Sequence, residues 1–245
     1  MYSFPTSAPD EPNLPASRNA RCDVFIKFGG SILNDDRSTA ALVSHIAALA
    51  KLRRIVILPG GGHAVKRIKA THSQYSGDFH TCWRAAVLCI DVNAGMLAAY
   101  SKLFTVVSSV GEISACFASG NIAILAPSQA ILNSLKLLPD WQPTTDSMGL
   151  YFAGQLQAKR YVIISDVHGI YEAKPASETN QPPLPGVTAD ELERLVSSKL
   201  DPLFPSYFRS YPISTFVVNG RYPERVDLAI LGEETIGTKI LLSRD

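Results

Sequence analysis

Short continuous runs of apolar, largely β-favouring residues alternate along the chain with longer stretches in which apolar positions recur every three or four residues. Residues 24–26 and 122–125 are unbroken apolar runs, and 54–58, 104–107, 161–165 and 215–218 are apolar runs with one polar residue each, as expected of strands buried on both faces. Residues 235–242 predict a final strand. Between these runs, Leu42, Ile46 and Leu49 predict a helix capped by Asn34 or Asp35, and Lys66, Arg67 and Lys69 fall on a second, basic helix. A long helix is expected over 78–103, with Trp83, Val87, Ile90, Ala94 and Leu97 on one stripe. Further helices are expected over 148–157, from Thr188, across 201–208 and after Pro223, whereas the stretch between 107 and 122 predicts a loop. The alternation is that of an α/β protein, a mainly parallel sheet covered by helices on both sides. There is no internal repeat and no coiled-coil period.

Composition narrows the picture. Residues 1–21 carry Pro5, Pro9, Pro12 and Pro15 among small and polar residues and predict a disordered tail; a single domain is expected over 22–245. Residues 174–186 contain four further prolines and predict a mobile loop. With 23 Lys+Arg against 22 Asp+Glu and a net charge of +1, the chain lacks the electrostatic footprint of a nucleic-acid binder. The four cysteines, Cys22, Cys82, Cys89 and Cys116, have no paired spacing and read as reduced thiols. No apolar stretch is long enough to cross a bilayer, and the first twenty residues lack the apolar core of a signal peptide. The expectation is a cytoplasmic protein with a small ligand and no membrane partner.

Four segments carry the chemistry. Lys27 ends the first strand and is followed by Phe28, Gly29, Gly30 and Ser31; glycines there let backbone N–H groups approach an anion, with the lysine as a mobile cation beside them. The second strand runs into Pro59-Gly60-Gly61-Gly62 at a helix start, a second nest of donors. Thr144-Thr145-Asp146-Ser147 opens another helix, with Thr145 or Asp146 as its cap. Ser165-Asp166-Val167-His168-Gly169-Ile170-Tyr171 lies at the carboxyl end of a strand, where open α/β sheets place ligands. On the long helix, Asp91 reads as solvated, and Cys82, Cys89 and His80 as packing residues; that helix serves equally well as a core or a dimer-interface element.

In order and spacing these four segments resemble the amino acid kinase superfamily over roughly 23–242. The resemblance implies a three-layer α/β/α sandwich, ATP with Mg²⁺, and a homodimer formed partly through the helix at 78–103. It implies an N-terminal part that binds the acceptor and a part from about 144 that binds the nucleotide. Lys27 would bridge donor and acceptor, oriented by Asp146; Gly29, Gly30 and Ser31 would hold the ATP phosphates and Gly60, Gly61 and Gly62 the acceptor's anionic end. Thr144 and Thr145 would offer hydroxyls to the acceptor phosphate, and Ser165, Asp166, Gly169 and Tyr171 would line the base and ribose; no side chain is assigned as a metal ligand. Where many members place a second lysine, this chain has Asn219-Gly220-Arg221-Tyr222-Pro223-Glu224-Arg225, so Arg221 or Arg225 would supply that cation, and His168 stands where an acidic residue is usual. Asp140-Trp141, 217–225 and 236–240 look most like the branch containing the aminomethylfuran-methyl phosphate kinase of methanofuran synthesis, which implies a small phosphorylated acceptor of furan type. Uridylate kinase, isopentenyl phosphate kinase and a non-catalytic nucleotide or oxyanion binder are the alternatives.

Overall fold

The computed structural model describes residues 20–134, 137, 139–172, 182–195 and 199–243. Residues 1–19 of the expected tail and most of the proline-rich loop lie outside them. Ala20 and Cys22 are already buried in the core, so packing begins two residues before the expected boundary.

Eight strands form one sheet: β1 (Val24–Phe28), β2 (Ile55–Pro59), β3 (Phe104–Val107), β4 (Ile122–Leu125), β5 (Arg160–Ser165), β6 (Gly186–Thr188), β7 (Ser214–Asn219) and β8 (Thr238–Leu241). Their spatial order is β3-β4-β2-β1-β5-β7-β8-β6. The six strands from β3 to β7 in that order run parallel; β8 is antiparallel to β7 and pairs in parallel with β6. Side-chain alternation divides the continuous apolar runs between two cores. Phe25, Val56, Leu58, Tyr161 and Ile163 face one, while Val24, Ile26, Phe28, Ile55, Ile57, Val162 and Ile164 face the other.

The second core is covered by α1 (Gly30–Leu33), α2 (Asp36–Ala48) and α10 (Pro223–Leu231). The first is covered by α5 (Val110–Ala118), α6 (Ser128–Leu132), α7 (Thr145–Gln155), α8 (Ala189–Arg194) and α9 (Phe204–Ser210). The long helix α4 (Phe79–Ala98) contributes Trp83, Val87 and Ile90 to the first core and Ala94 and Leu97 to the second; α3 (Gly62–Tyr75) packs outside it. This is the expected three-layer α/β/α sandwich. No helix among the described residues is long and apolar enough to cross a membrane.

Local chemistry sets the helix ends. Asp35 caps α2 through the Ser38 N–H, Asp78 caps α4 through the Thr81 N–H at 2.7 Å, and Thr188 with Glu191 forms a capping box on α8. Helix α4 stops at Ala98, five residues short of the expected end, because Ala99, Tyr100 and Ser101 donate to carbonyls three residues back and tighten the turn into β3. The expected loop between β3 and β4 is instead the helix α5, capped by Ser109, with Glu112 accepting the Ser108 N–H at 2.7 Å. Only Ile113 and Cys116 of its nine residues are buried, too few to show a period. Asp91 is half-buried, and its carboxylate accepts the Ser128 N–H at the start of α6.

The edge of β1 is tied down by Asp23, which accepts from the Arg54 N–H at 3.0 Å and pairs with Lys159 at 2.9 Å. Burial acts to raise its carboxyl pKa, but the Arg54 N–H and the Lys159 ammonium outweigh it and hold the pKa below the usual value. A depressed folded-state pKa stabilises above the unfolded pKa and stops doing so as pH falls through the folded one. Asp23→Asn is therefore expected to cost about 1–2 kcal/mol at neutral pH and progressively less below pH ~4, measured by urea denaturation of both proteins across that range.

Candidate active site

The carboxyl ends of β1, β2, β5 and β7 converge where successive connections leave β1 in opposite directions, toward β2 on one side and β5 on the other. The turn after β1 and the turn after β2 lie against each other, backbone to backbone. The Gly60 N–H donates to the Phe28 carbonyl at 2.8 Å. A Cβ on Gly30 would come within 2.5 Å of the Gly62 nitrogen, and one on Gly60 within 2.8 Å of the Gly30 nitrogen. Gly29 is equally confined, its missing Cβ facing the Ile164 carbonyl oxygen at 2.6 Å. Gly62 adopts φ +60°, a left-handed conformation that glycine takes without strain. From α4, Asn93 donates to the Gly60 carbonyl at 2.6 Å and braces the second turn. The turns lead into α1 and α3, whose first N–H groups have no partner within their own helix.

Lys27 projects from β1 toward α7, and its ammonium meets Asp146 Oδ1 at 2.8 Å with only 14% and 8% of the two side chains exposed. That oxygen has no other partner among the described residues. Asp146 sits in the first turn of α7, where a carboxylate is favoured by the helix dipole. Thr144, not Thr145 or Asp146, is the cap: its hydroxyl accepts the Asp146 N–H at 3.2 Å and donates to Asp201 at 2.8 Å. The position before the helix has extended backbone, which a cap needs. Asp201 also accepts from the Thr144 and Ser147 N–H groups, the Ser147 hydroxyl and the Leu203 N–H. Burial pushes its carboxyl up, the Ser147 hydroxyl pulls it down, and the nearby Asp146 charge raises it further. Beneath the helix start, the fully buried Tyr161 hydroxyl donates to the Asp146 carbonyl at 2.8 Å. Burial first, then the Asp146 and Asp201 charges, hold that phenol far above its ordinary range, so it stays a donor.

Behind the second glycine turn is a cavity of about 90 Å³ between α3, α4 and the start of α7, lined by Gly61, Val65, Trp83, Val87, Trp141 and Thr145 among others. Thr144 and Thr145 both line this space, but the Thr144 hydroxyl is committed to the helix cap. On the other side of the sheet's switch point, half-buried Ser165 and Asp166 end β5, and Ser165 donates to Asp166 at 3.3 Å. Gly169 packs against Thr238 of β8, where a Cβ would strike the threonine hydroxyl, and Tyr171 is half-buried beyond it. Arg225 lies 3.9 Å from the Tyr222 ring centroid and within 3.0 Å of His168 Nδ1. Arg221 is exposed and holds Asn219 through its N–H. Of the two arginines, Arg225 is the half-buried one with side-chain contacts of its own. Ser31 is exposed at the first turn.

The model for the amino acid kinase family matches residues 24–210 of this chain. The chain belongs to the amino acid kinase family. Among its relatives, the [5-(aminomethyl)furan-3-yl]methyl phosphate kinase of Methanocaldococcus jannaschii is 28% identical over 223 residues, 89% of this chain and 97% of that one. A uridylate kinase of Methanococcoides burtonii is 25% identical over 230 residues, 88% and 93% of the two chains. The crystal structure of the Archaeoglobus fulgidus uridylate kinase superposes with a TM-score of 0.72 at 21% identity, over 89% of this chain and all of the other.

Membership makes this chain a kinase, and three residues that brace the candidate site escaped the sequence reading. Asn93, Tyr161 and Asp201 support the site from 33, 15 and 54–57 residues away, and none carries a local motif. Lys199 was also passed over; its ammonium lies 3.9 Å from Asp166. The tight contact between the two turns makes a specific demand. Gly30→Ala should cost about 1–3 kcal/mol through enforced backbone displacement, while Gly111→Ala, whose Cβ would meet only the Ser109 hydroxyl at an ordinary 3.9 Å, should stay within ~0.5 kcal/mol; chemical denaturation of both variants checks this.

Proposed function

We propose that this kinase transfers the γ-phosphoryl group of ATP to the phosphate of a small phosphorylated acceptor, a furan-type C1-coenzyme precursor, giving a diphosphate and ADP. The observation that carries the reading is a half-buried lysine, held by one carboxylate, at the end of a strand whose following turn abuts a second glycine turn. Phosphoryl transfer asks chiefly for alignment and charge neutralisation. Gly29, Gly30 and Ser31 bind the ATP phosphates; Gly60, Gly61 and Gly62, with Thr145, bind the acceptor's phosphate. Lys27 lies between them and stabilises the charge on the moving group, while Asp146 fixes its ammonium in place. The acceptor oxygen is already anionic, so it forms the new bond to phosphorus without a general base as the bond to the ADP oxygen breaks. Ser165, Asp166, Gly169 and Tyr171 receive base and ribose, and Arg225 with Lys199 supplies positive charge on that side.

The residues present suit the nucleotide: a side chain at Gly29 or Gly30 would occupy backbone space, leaving N–H groups as the surface offered to phosphate. Magnesium bound with those phosphates would supply further charge neutralisation and would be held largely by phosphate and water, since no group of three or more metal-ligating side chains occurs among the described residues. The furan assignment draws on the Methanocaldococcus relative and on Asp140-Trp141. A ³¹P NMR assay with Mg-ATP and a panel of monoesters that includes UMP tests it. A diphosphate signal from the aminomethylfuran monoester is expected; transfer to UMP alone would identify a uridylate kinase instead. Lys27→Ala should lower transfer at least ~100-fold, and Asp146→Asn should bind ATP near normally but transfer slowly. Undiminished turnover in either variant overturns the mechanism.

The protein is also proposed to act as a homodimer. Leu88, Val92 and Met96 recur at four-residue spacing on α4 and are 49%, 63% and 52% exposed, an apolar stripe with Gly95 beside it open to close approach. Light scattering should give the mass of two chains, and the double variant V92E/M96E the mass of one.

A further inference from the structure

The cavity behind the second glycine turn has a chemistry of its own. It begins at Gly61 and Thr145, next to the proposed phosphate site, and follows α3 to Lys69, seven residues or ~10 Å along the axis from the helix start at Gly62. Its walls are Val65, Trp83, Val87, Ile90, Trp141 and Met148: apolar, with both of the chain's two tryptophans among them. Such walls leave few partners for the several hydrogen-bonding edges of a pyrimidine and its ribose.

At the far end are two charged residues, and they are not equivalent. The Lys69 ammonium is already engaged, donating to the Trp141 carbonyl at 3.1 Å and lying 5.2 Å from that ring's centroid. Asp140 is half-buried and accepts the Gln142 N–H at 3.0 Å; its charge acts on the Lys69 ammonium, but the two make no ion-pair contact among the described residues. A partly desolvated carboxylate beside apolar aromatic walls favours a compact cation, and the phosphate at the other end fixes that cation's distance along α3.

Resting on the phosphate-acceptor reading above, we infer that this cavity is a subsite for a flat aromatic ring bearing a primary ammonium. The tryptophan-lined walls take the ring and the Asp140 carboxylate takes the ammonium, so Asp140 sets specificity without joining the transfer step.

Because both tryptophans line the cavity, intrinsic fluorescence reports its occupancy independently of turnover. The probes are [5-(aminomethyl)furan-3-yl]methyl phosphate, its isostere with hydroxymethyl in place of aminomethyl, and UMP, each titrated into the full-length protein and into Asp140→Asn. The amine is expected to bind at least tenfold tighter than the hydroxymethyl isostere, and Asp140→Asn to abolish that preference while leaving isostere binding unchanged. UMP is expected to leave the fluorescence unaltered. The inference is overturned by equal affinity for amine and isostere, by equal weakening of both in Asp140→Asn, or by no fluorescence response to the amine. Diphosphate formation read by ³¹P NMR on the same samples separates the two readings. Transfer to the amine without Asp140-dependent preference keeps the function and removes the subsite, whereas Asp140-dependent binding without transfer keeps the subsite and removes the function.

Discussion

A lysine near the middle of a sheet has to be answered by a carboxylate, and most of the site's architecture follows from where that carboxylate is kept. Lys27 lies on a strand flanked on both sides, so its ammonium reaches only into the helix layer above. Asp146 is there because α7 begins there, and α7 begins there because Thr144 caps it, Asp201 gathers its first donors and Tyr161 holds its Asp146 carbonyl. Removing one member of a buried pair leaves the other's charge stranded, at a cost of about 3–5 kcal/mol, whereas the intact pair contributes little net stability. The pair is better understood as a device for position: it holds one charge at one point at the end of β1.

The same economy governs the second carboxylate. Asp146 and Asp201 meet at the start of α7, where the Asp146 charge adds to burial in raising the Asp201 carboxyl, yet they are satisfied differently. Asp146 has a cation; Asp201 has five hydrogen-bond donors and no ion pair among the described residues. The Thr144 hydroxyl sits between them and has a single proton, which its 2.8 Å distance assigns to Asp201. That leaves the Asp146 carboxylate to Lys27.

What the sequence made legible were features whose cause is local. The central strands are written in runs of apolar residues, and the turns after them in glycines that nothing else in the chain explains. Residues 144–147 marked a helix start because a cap and a first-turn acid sit side by side, although which residue capped it was settled by Asp201, 57 residues away. Helix α5 was missed because two buried residues in nine cannot display a period, and the hydrogen bond of Asp91 was out of view because its partner is the helix α6 that was not foreseen. Asn93 and Tyr161 were invisible for a related reason: each acts through hydrogen bonds to backbone elsewhere, and only the packed sheet brings those backbones near. The cavity was likewise beyond reach, being assembled from two helices and the segment before a third.

The contact between the two glycine turns has a further consequence. Gly30 and Gly62 touch through main-chain atoms alone, so no side-chain substitution can lengthen or shorten the gap between the turns; it can only break it. The walls of the neighbouring cavity, by contrast, are ordinary side chains on α3 and α4. A lineage built on this frame is free to exchange what it holds while the spacing of its two anchoring turns is inherited as a fixed gauge.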